Sequence, residues 1–130
     1  GAFFKVTVPN VDNWRRFVTS TGGAIDSIPD LYLDENIAPK VALHLMDGLV
    51  AQYANGPDGN PNYAFPHATI YASKDPVALD ATALRKLDDW RRQTKLPPVS
   101  SRAGWLEYAA AAGLGTFDES RIEIRPVSPP

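Results

Sequence analysis

A layered α/β domain, with a small mixed sheet flanked by helices, is the fold class this sequence predicts. Three observations carry it. Residues 41–53 form an almost unbroken apolar run, as expected of a strand covered on both faces. Residues 67–73 form a second strand-like stretch that leads straight into a helix start. Strand-like and helix-like segments alternate along the chain, the pattern of helices layered on a sheet. With 130 residues, 44% hydrophobic and 22% charged, the chain is long and apolar enough for one domain, residues 1–130, with its own core.

In chain order, residues 3–8 carry β-favouring side chains and stop at Pro9-Asn10, so they read as a strand. Asp12 can cap a short helix in which Trp14, Phe17 and Val18 share a face, ending at Gly22-Gly23. Residues 29–37 read as a second short helix, anchored by Leu31 and Tyr32 and closed by Pro39. In the apolar run of residues 41–53, Asp47-Gly48 is an interruption, and a glycine inside a strand marks a bulge or a close backbone approach. Residues 54–62 are a dense cluster of turn formers.

The next strand, residues 67–73, should lie beside the first. A short loop joins them, which favours antiparallel neighbours, with the second strand interior to the sheet. Then comes the longest helix. Asp75 is a good N-cap, because its carboxylate can accept from free N–H groups of the first turn. Pro76 suits the first helical position, where its missing N–H costs nothing. The helix should run to about Arg92 and end before Leu96-Pro97-Pro98. Ser100 or Ser101 can cap a further helix through Trp105, Leu106, Tyr108 and Ala109. Gly113 is the expected left-handed C-cap, with Leu114 as its hydrophobic closer. Residues 121–125 alternate, with Ile122 and Ile124 inward, and read as a last strand ending at Pro126.

At 100° per residue, Val77, Ala81, Ala83, Leu84, Leu87 and Trp90 fall on one broad arc of the long helix. Asp80 lies inside that arc. A buried carboxylate without partners is expensive, so Asp80 should be bonded to backbone or hydroxyl groups of the Asn55 loop or the Ser73 turn. It is either a structural acid or a site acid, since perturbed carboxylates gather at functional sites. The glycines and free N–H groups of the 54–62 loop could cradle an anion; a plain tight turn is the competing reading. No Gly-Lys-Ser/Thr follows it, so it is not a P-loop. His44 and His67, with Asp47, Asp75 and Asp80, could form a mixed nitrogen and oxygen metal site, though their spacing is not diagnostic. Otherwise His44 is a packed, hydrogen-bonded core residue and His67 sits at a strand edge. Trp14, Trp90 and Trp105 read as core.

Asp47-Gly48, Asn55-Gly56-Pro57, Ala72-Ser73-Lys74-Asp75-Pro76-Val77-Ala78-Leu79-Asp80-Ala81 and Ala112-Gly113-Leu114-Gly115 together resemble the later part of the DUF362 family. That family is a domain of unknown function, found mostly in bacteria and archaea. The resemblance spans about residues 25–125 and is most specific in the Ser73–Asp80 block. Its members are usually longer than this chain. Some resemble exported proteins and some carry Cys-rich ferredoxin-like segments, but this chain has no Cys. The resemblance implies no reaction.

The totals narrow the function classes. A net charge of −2 gives no basic footprint for nucleic acid. No apolar run approaches membrane-spanning length. Zero Cys excludes a disulfide framework, a Cys-bound iron–sulfur cluster and a thiol nucleophile within these residues. No Gly-x-Ser-x-Gly elbow is present to support serine hydrolase chemistry. The chain begins with Gly1 rather than Met, as expected of a piece of a longer protein whose missing N-terminal part would be a partner. Export of the full-length protein and the compartment are left open, as are cofactor and metal. Two functional readings stand. In the first, an enzyme domain acts on a small anionic molecule. Asn55, Gly56, Pro57, Ser73, Lys74 and Asp75 bind the ligand, and Asp47 or Asp80 handles protons or a metal. In the second, the same residues form a structural polar network in a non-catalytic binding or scaffold domain. An open cleft beside Asp80 would favour the first, and an Asp80 sealed by backbone donors the second.

Overall fold

Strand β1 (His44–Gln52) pairs antiparallel with strand β2 (Ala64–Ser73), from His44 opposite Ser73 at one end to Gln52 opposite Ala64 at the other. The computed structural model describes residues 27–56 and 58–127. The strand expected at residues 3–8, the helix expected after Asp12, and Pro57 lie outside the described residues. The pairing slips between Gly48 opposite Thr69 and Val50 opposite Pro66, so His67 and Ala68 together oppose Leu49. Ala68 absorbs this bulge in the left-handed region, at φ 52°.

Three α-helices complete the described part: α1 (Ser27–Tyr32), α2 (Pro76–Gln93) and α3 (Gly104–Ala111). The inner face of the hairpin rests on α2, chiefly through Phe65 and His67, whose rings each meet Trp90 edge-on at 5.0 Å. The core proper lies between α2 and α3. Val77 and Ala81 from α2 meet Leu106 and Ala109 from α3, with Ala103, and Leu84, Trp105, Leu114 and Ile122 pack around them. Packing against a helix is what allows so small a sheet to persist.

Both helix ends expected at glycine and proline signals form as read. Asp75 caps α2, accepting from Ala78 N–H at 2.8 Å, and Pro76 is the first helical residue. After α3, Gly113 takes φ 81°, its N–H bonds to Ala110 O and the Leu114 N–H to Ala109 O, each at 3.0 Å. That pair of bonds is the Schellman motif.

Other expectations change. β1 begins at His44 rather than at residue 41, and only one of its faces is covered. Leu45, Val50 and Ile70 are 70%, 69% and 62% exposed on the outer face, because α2 covers the inner face and no second layer lies among the described residues. For the same reason β2 is not interior to the sheet: β1 is its one neighbour among the described residues. The helix expected over residues 29–37 stops at Tyr32, and Pro39 sits within the 3-10 turn Ala38–Lys40. Asp34 is the cause, since its carboxylate accepts from Asn36 N–H at 2.8 Å and so offers the backbone a turn instead of a helix. Ser100 and Ser101 do not cap α3. They lie in the 3-10 turn Ser100–Arg102, and Ala103 precedes the helix without a side-chain cap. Ile122 is extended, but residues 122–127 belong to no strand. Ile122 reaches the core while Ile124 stays 59% exposed, for want of a neighbouring strand to give the alternation an inside.

Candidate functional site

The hairpin register gathers part of the predicted site. Because His44 is opposite Ser73, the start of β1 lies beside the turn Ser73-Lys74-Asp75 that opens α2. Ser73 Oγ accepts from Asp75 N–H at 3.0 Å and so shapes that turn. Both Asp75 carboxylate oxygens are engaged, Oδ1 by Ala78 N–H and Oδ2 by Thr116 N–H at 2.9 Å. Lys74 is exposed.

Asp80 departs from expectation. It is neither sealed nor bonded to the Asn55 loop or the Ser73 turn. It is exposed and has no hydrogen-bond partner among the described residues. Val77 and Ala81 of the apolar arc pack into the core, but Asp80 beside them lines an open cleft of about 570 Å³. β1 supplies one wall with His44, Met46 and Asp47, α3 supplies Trp105 and Leu106, and α1 contributes Tyr32. Solvent reaches the Asp80 carboxylate through the mouth, yet the surrounding protein crowds it. That burial raises its pKa above the ordinary 3.8, against the opposing pull of His44.

His44 is half-buried and hydrogen-bonded, as read, but it borders the cleft rather than a closed core. Its Nε2 lies 2.9 Å from Tyr32 Oη, the rings 5.6 Å apart. Burial also raises the Tyr32 pKa. Asp47 sits on the cleft rim and is exposed. Its Oδ1 accepts from Leu49 N–H at 2.8 Å.

The Asn55 loop belongs to the other end of the hairpin. Gln52 pairs with Ala64 there, so Asn55 and Gly56 lie roughly 25 Å from Ser73 along the strands, at about 3.3 Å per residue. The loop is held by Gln52, whose amide donates to Ala54 O and Asp58 O and accepts from Asn60 N–H. Asn55 itself takes φ 62°. Thus the structure brings Asp47, Ser73, Lys74, Asp75 and Asp80 to one end of the hairpin and leaves the loop at the other. His67 is on the far flank, bonded to Tyr71, so the histidines and aspartates do not converge. Among the described residues no group of three could hold a metal ion.

The family model of a domain of unknown function, DUF362, matches residues 10–85, more than half the chain. The chain belongs to the DUF362 family. No curated protein and no solved structure matches it. The DUF362 match takes in β1, β2 and the first half of α2, and ends before α3 and Gly115. Gly115 is nevertheless tied to the matched part, because a Cβ there would overlap the Asp75 carboxylate.

Sequence reasoning missed two polar residues that matter locally. Tyr32, read as a helix anchor, orients His44. Asp88, the α2 residue that ties down the loop after the helix, accepts from Val99 N–H at 2.7 Å and from Ser100 N–H at 3.3 Å. Its partners lie eleven and twelve residues along, beyond any helical or capping spacing. The nearest signal was a buried acid position on a helix followed by a Pro-rich loop.

Proposed function

We propose that this DUF362 domain binds a small molecule in the cleft at Asp80, with a donor or positive charge on the ligand meeting that carboxylate. One observation carries the reading: Asp80 opens, without a hydrogen-bond partner among the described residues, into an otherwise largely apolar cleft. An apolar cavity with a few convergent polar groups and a perturbed acid is the usual form of a ligand site. His44, fixed by Tyr32, and Asp47 at the rim supply the other polar contacts. No Lys or Arg side chain is among the described residues lining it. A neutral or cationic ligand therefore suits this lining better than the anion expected from the sequence. The raised Asp80 pKa also fits a group that holds a proton more readily than an ordinary carboxyl.

The test is thermal shift and NMR titration of the full chain with a panel of amines and polyols, alongside Asp80→Asn. Ligands that stabilise the protein should perturb His44, Asp47 and Asp80, and lose their effect in Asp80→Asn. If the amines and polyols act equally on both proteins, the reading fails.

A scaffold role has its own support. Asp75 and Ser73 are consumed in a polar network that joins β2, α2 and the loop after α3. That half of the motif serves architecture, whatever the cleft holds.

A further inference from the structure

We infer that a second site, for an organic oxyanion with an apolar body, lies on the opposite flank of the hairpin, centred on Lys86. A groove of about 880 Å³ runs there between β2 and residues 122–127. It is separate from the Asp80 cleft: among the described residues Leu79 alone lines both.

Charge is the first support. Three ionic side chains are among the described residues that line this groove: Lys86, Glu123 and Arg125. Glu123 and Arg125 neutralise each other through two hydrogen bonds of 2.7 and 2.8 Å. Lys86 is half-buried on α2 and has no acidic partner among the described residues. Its Nζ stands 5.8 Å from the centroid of the Tyr71 ring. A ring face offers an ammonium only partial compensation. The groove therefore keeps one uncompensated positive charge, in surroundings that strengthen its pull on an anion.

Placed donors are the second support. Tyr71 Oη and His67 Nε2 share a hydrogen bond of 2.6 Å, and their rings stack at 13°. Trp90 meets the His67 ring edge-on, so the pair is held from one side. From the other side the pair is held by backbone. A Cβ on Gly48 would come within 2.7 Å of Thr69 O, 3.2 Å of the Tyr71 ring and 3.3 Å of the His67 ring. Only glycine lets β1 close against both rings. The Thr69 hydroxyl, on the same inner face, spends its proton on His67 O and so helps fix the His67 backbone. With the His67 Nε2–H donating to Tyr71 Oη, the Tyr71 hydroxyl proton is left for the groove, and Lys86 and that hydroxyl can act together on one oxyanion.

Leu49, Ile70, Ile122 and Ile124 line the same groove and give it apolar walls. A carboxylate or phosphate monoester attached to a hydrocarbon would use both features, whereas a bare inorganic ion would use only the charge.

NMR titration of the full chain with hexanoate, phenyl phosphate and inorganic phosphate tests this. Hexanoate or phenyl phosphate should bind saturably and shift Thr69, Tyr71, Lys86 and Ile122. Lys86→Met keeps the aliphatic stem over the ring and should weaken binding about tenfold or more, the worth of a charge-assisted hydrogen bond. Lys86→Arg should restore it, and Tyr71→Phe, which keeps the ring but not the hydroxyl, should weaken it. Unchanged binding in Lys86→Met, or shifts confined to other residues, would overturn the site. Inorganic phosphate binding as tightly as hexanoate would overturn the ligand class. A preference for hexanoate or for phenyl phosphate identifies the carboxylate or the phosphate as the source.

Discussion

Asp75 ties the loop after α3 to the start of α2: its Oδ2 accepts from Thr116 N–H at 2.9 Å while its Oδ1 caps Ala78 at 2.8 Å. One carboxylate therefore satisfies donors from two segments, the farther of them 41 residues along the chain from Asp75. It fits because residue 115 has no side chain.

Asp75→Ala removes both bonds, so its cost should exceed that of an ordinary N-cap, about 1 kcal/mol, and reach roughly 2 kcal/mol. Gly115→Ala should also destabilise, because its Cβ meets the carboxylate. Chemical denaturation of the two single variants and the double variant separates the effects. Combined with Asp75→Ala, the Gly115→Ala change should cost little, a coupling of the kind seen between touching residues. Additive costs would mean that Gly115 is kept for another reason.

What could be read from the sequence followed the range of each interaction. The Asp75 cap, Pro76 at the first helical position and the Gly113 motif are settled within six residues, so composition and spacing declared them. The antiparallel hairpin followed from its short loop. Asp80 was misread because a helical wheel groups it with Val77, Ala81 and Leu84, which do pack in the core, and cannot show that its own position opens on a cleft. The 122–125 alternation failed because alternation needs a second strand. Asp88 and Tyr32 act through partners that only the tertiary fold brings close.

Asp80 should make stability fall as pH rises. Its folded pKa lies above the ordinary 3.8, so the folded state favours the protonated carboxyl. The stabilisation is fully present below about pH 3.8 and is lost as pH rises through the folded value. Asp80→Asn removes the charged form and should therefore raise the melting temperature at neutral pH. That gain should vanish in acid below about pH 3.8. An Asp80→Asn protein that melts lower than wild type at pH 7 would contradict this sign.

Asp88 should act in the opposite sense. Burial raises its pKa, but the hydrogen bonds from Val99 and Ser100 and the nearby Arg91 outweigh that and hold it below 3.8. Its stabilisation is present above pH 3.8 and is lost as pH falls through the lower folded value. Asp88→Ala leaves two N–H groups without their acceptor and should cost about 1–3 kcal/mol at neutral pH. The wild-type and variant stabilities should converge as the solution is acidified below pH 3.8. A constant difference down to the acid limit would show that Asp88 acts through packing alone.

The C-terminal ends of α2 and α3 share one hydrogen-bond pattern. After α2, Lys95 N–H bonds to Arg92 O and Leu96 N–H to Arg91 O, at 3.1 and 2.8 Å, as Gly113 and Leu114 do after α3. Lys95 holds φ 61° where α3 has a glycine. A side chain in the left-handed region costs roughly 1–2 kcal/mol, set against the extra entropy that glycine loses on folding. Lys95 is exposed, so its side chain contributes little packing there. Lys95→Gly should therefore stabilise the protein by up to about 1 kcal/mol, and Gly113→Ala should destabilise it by a similar amount. Nothing lies within 4 Å of a Cβ built on Gly113, so the second cost is conformational and not steric. Urea midpoints at unchanged m-value give both numbers. A lower midpoint for Lys95→Gly would mean that the lysine side chain contributes more at this helix end than its backbone strain costs.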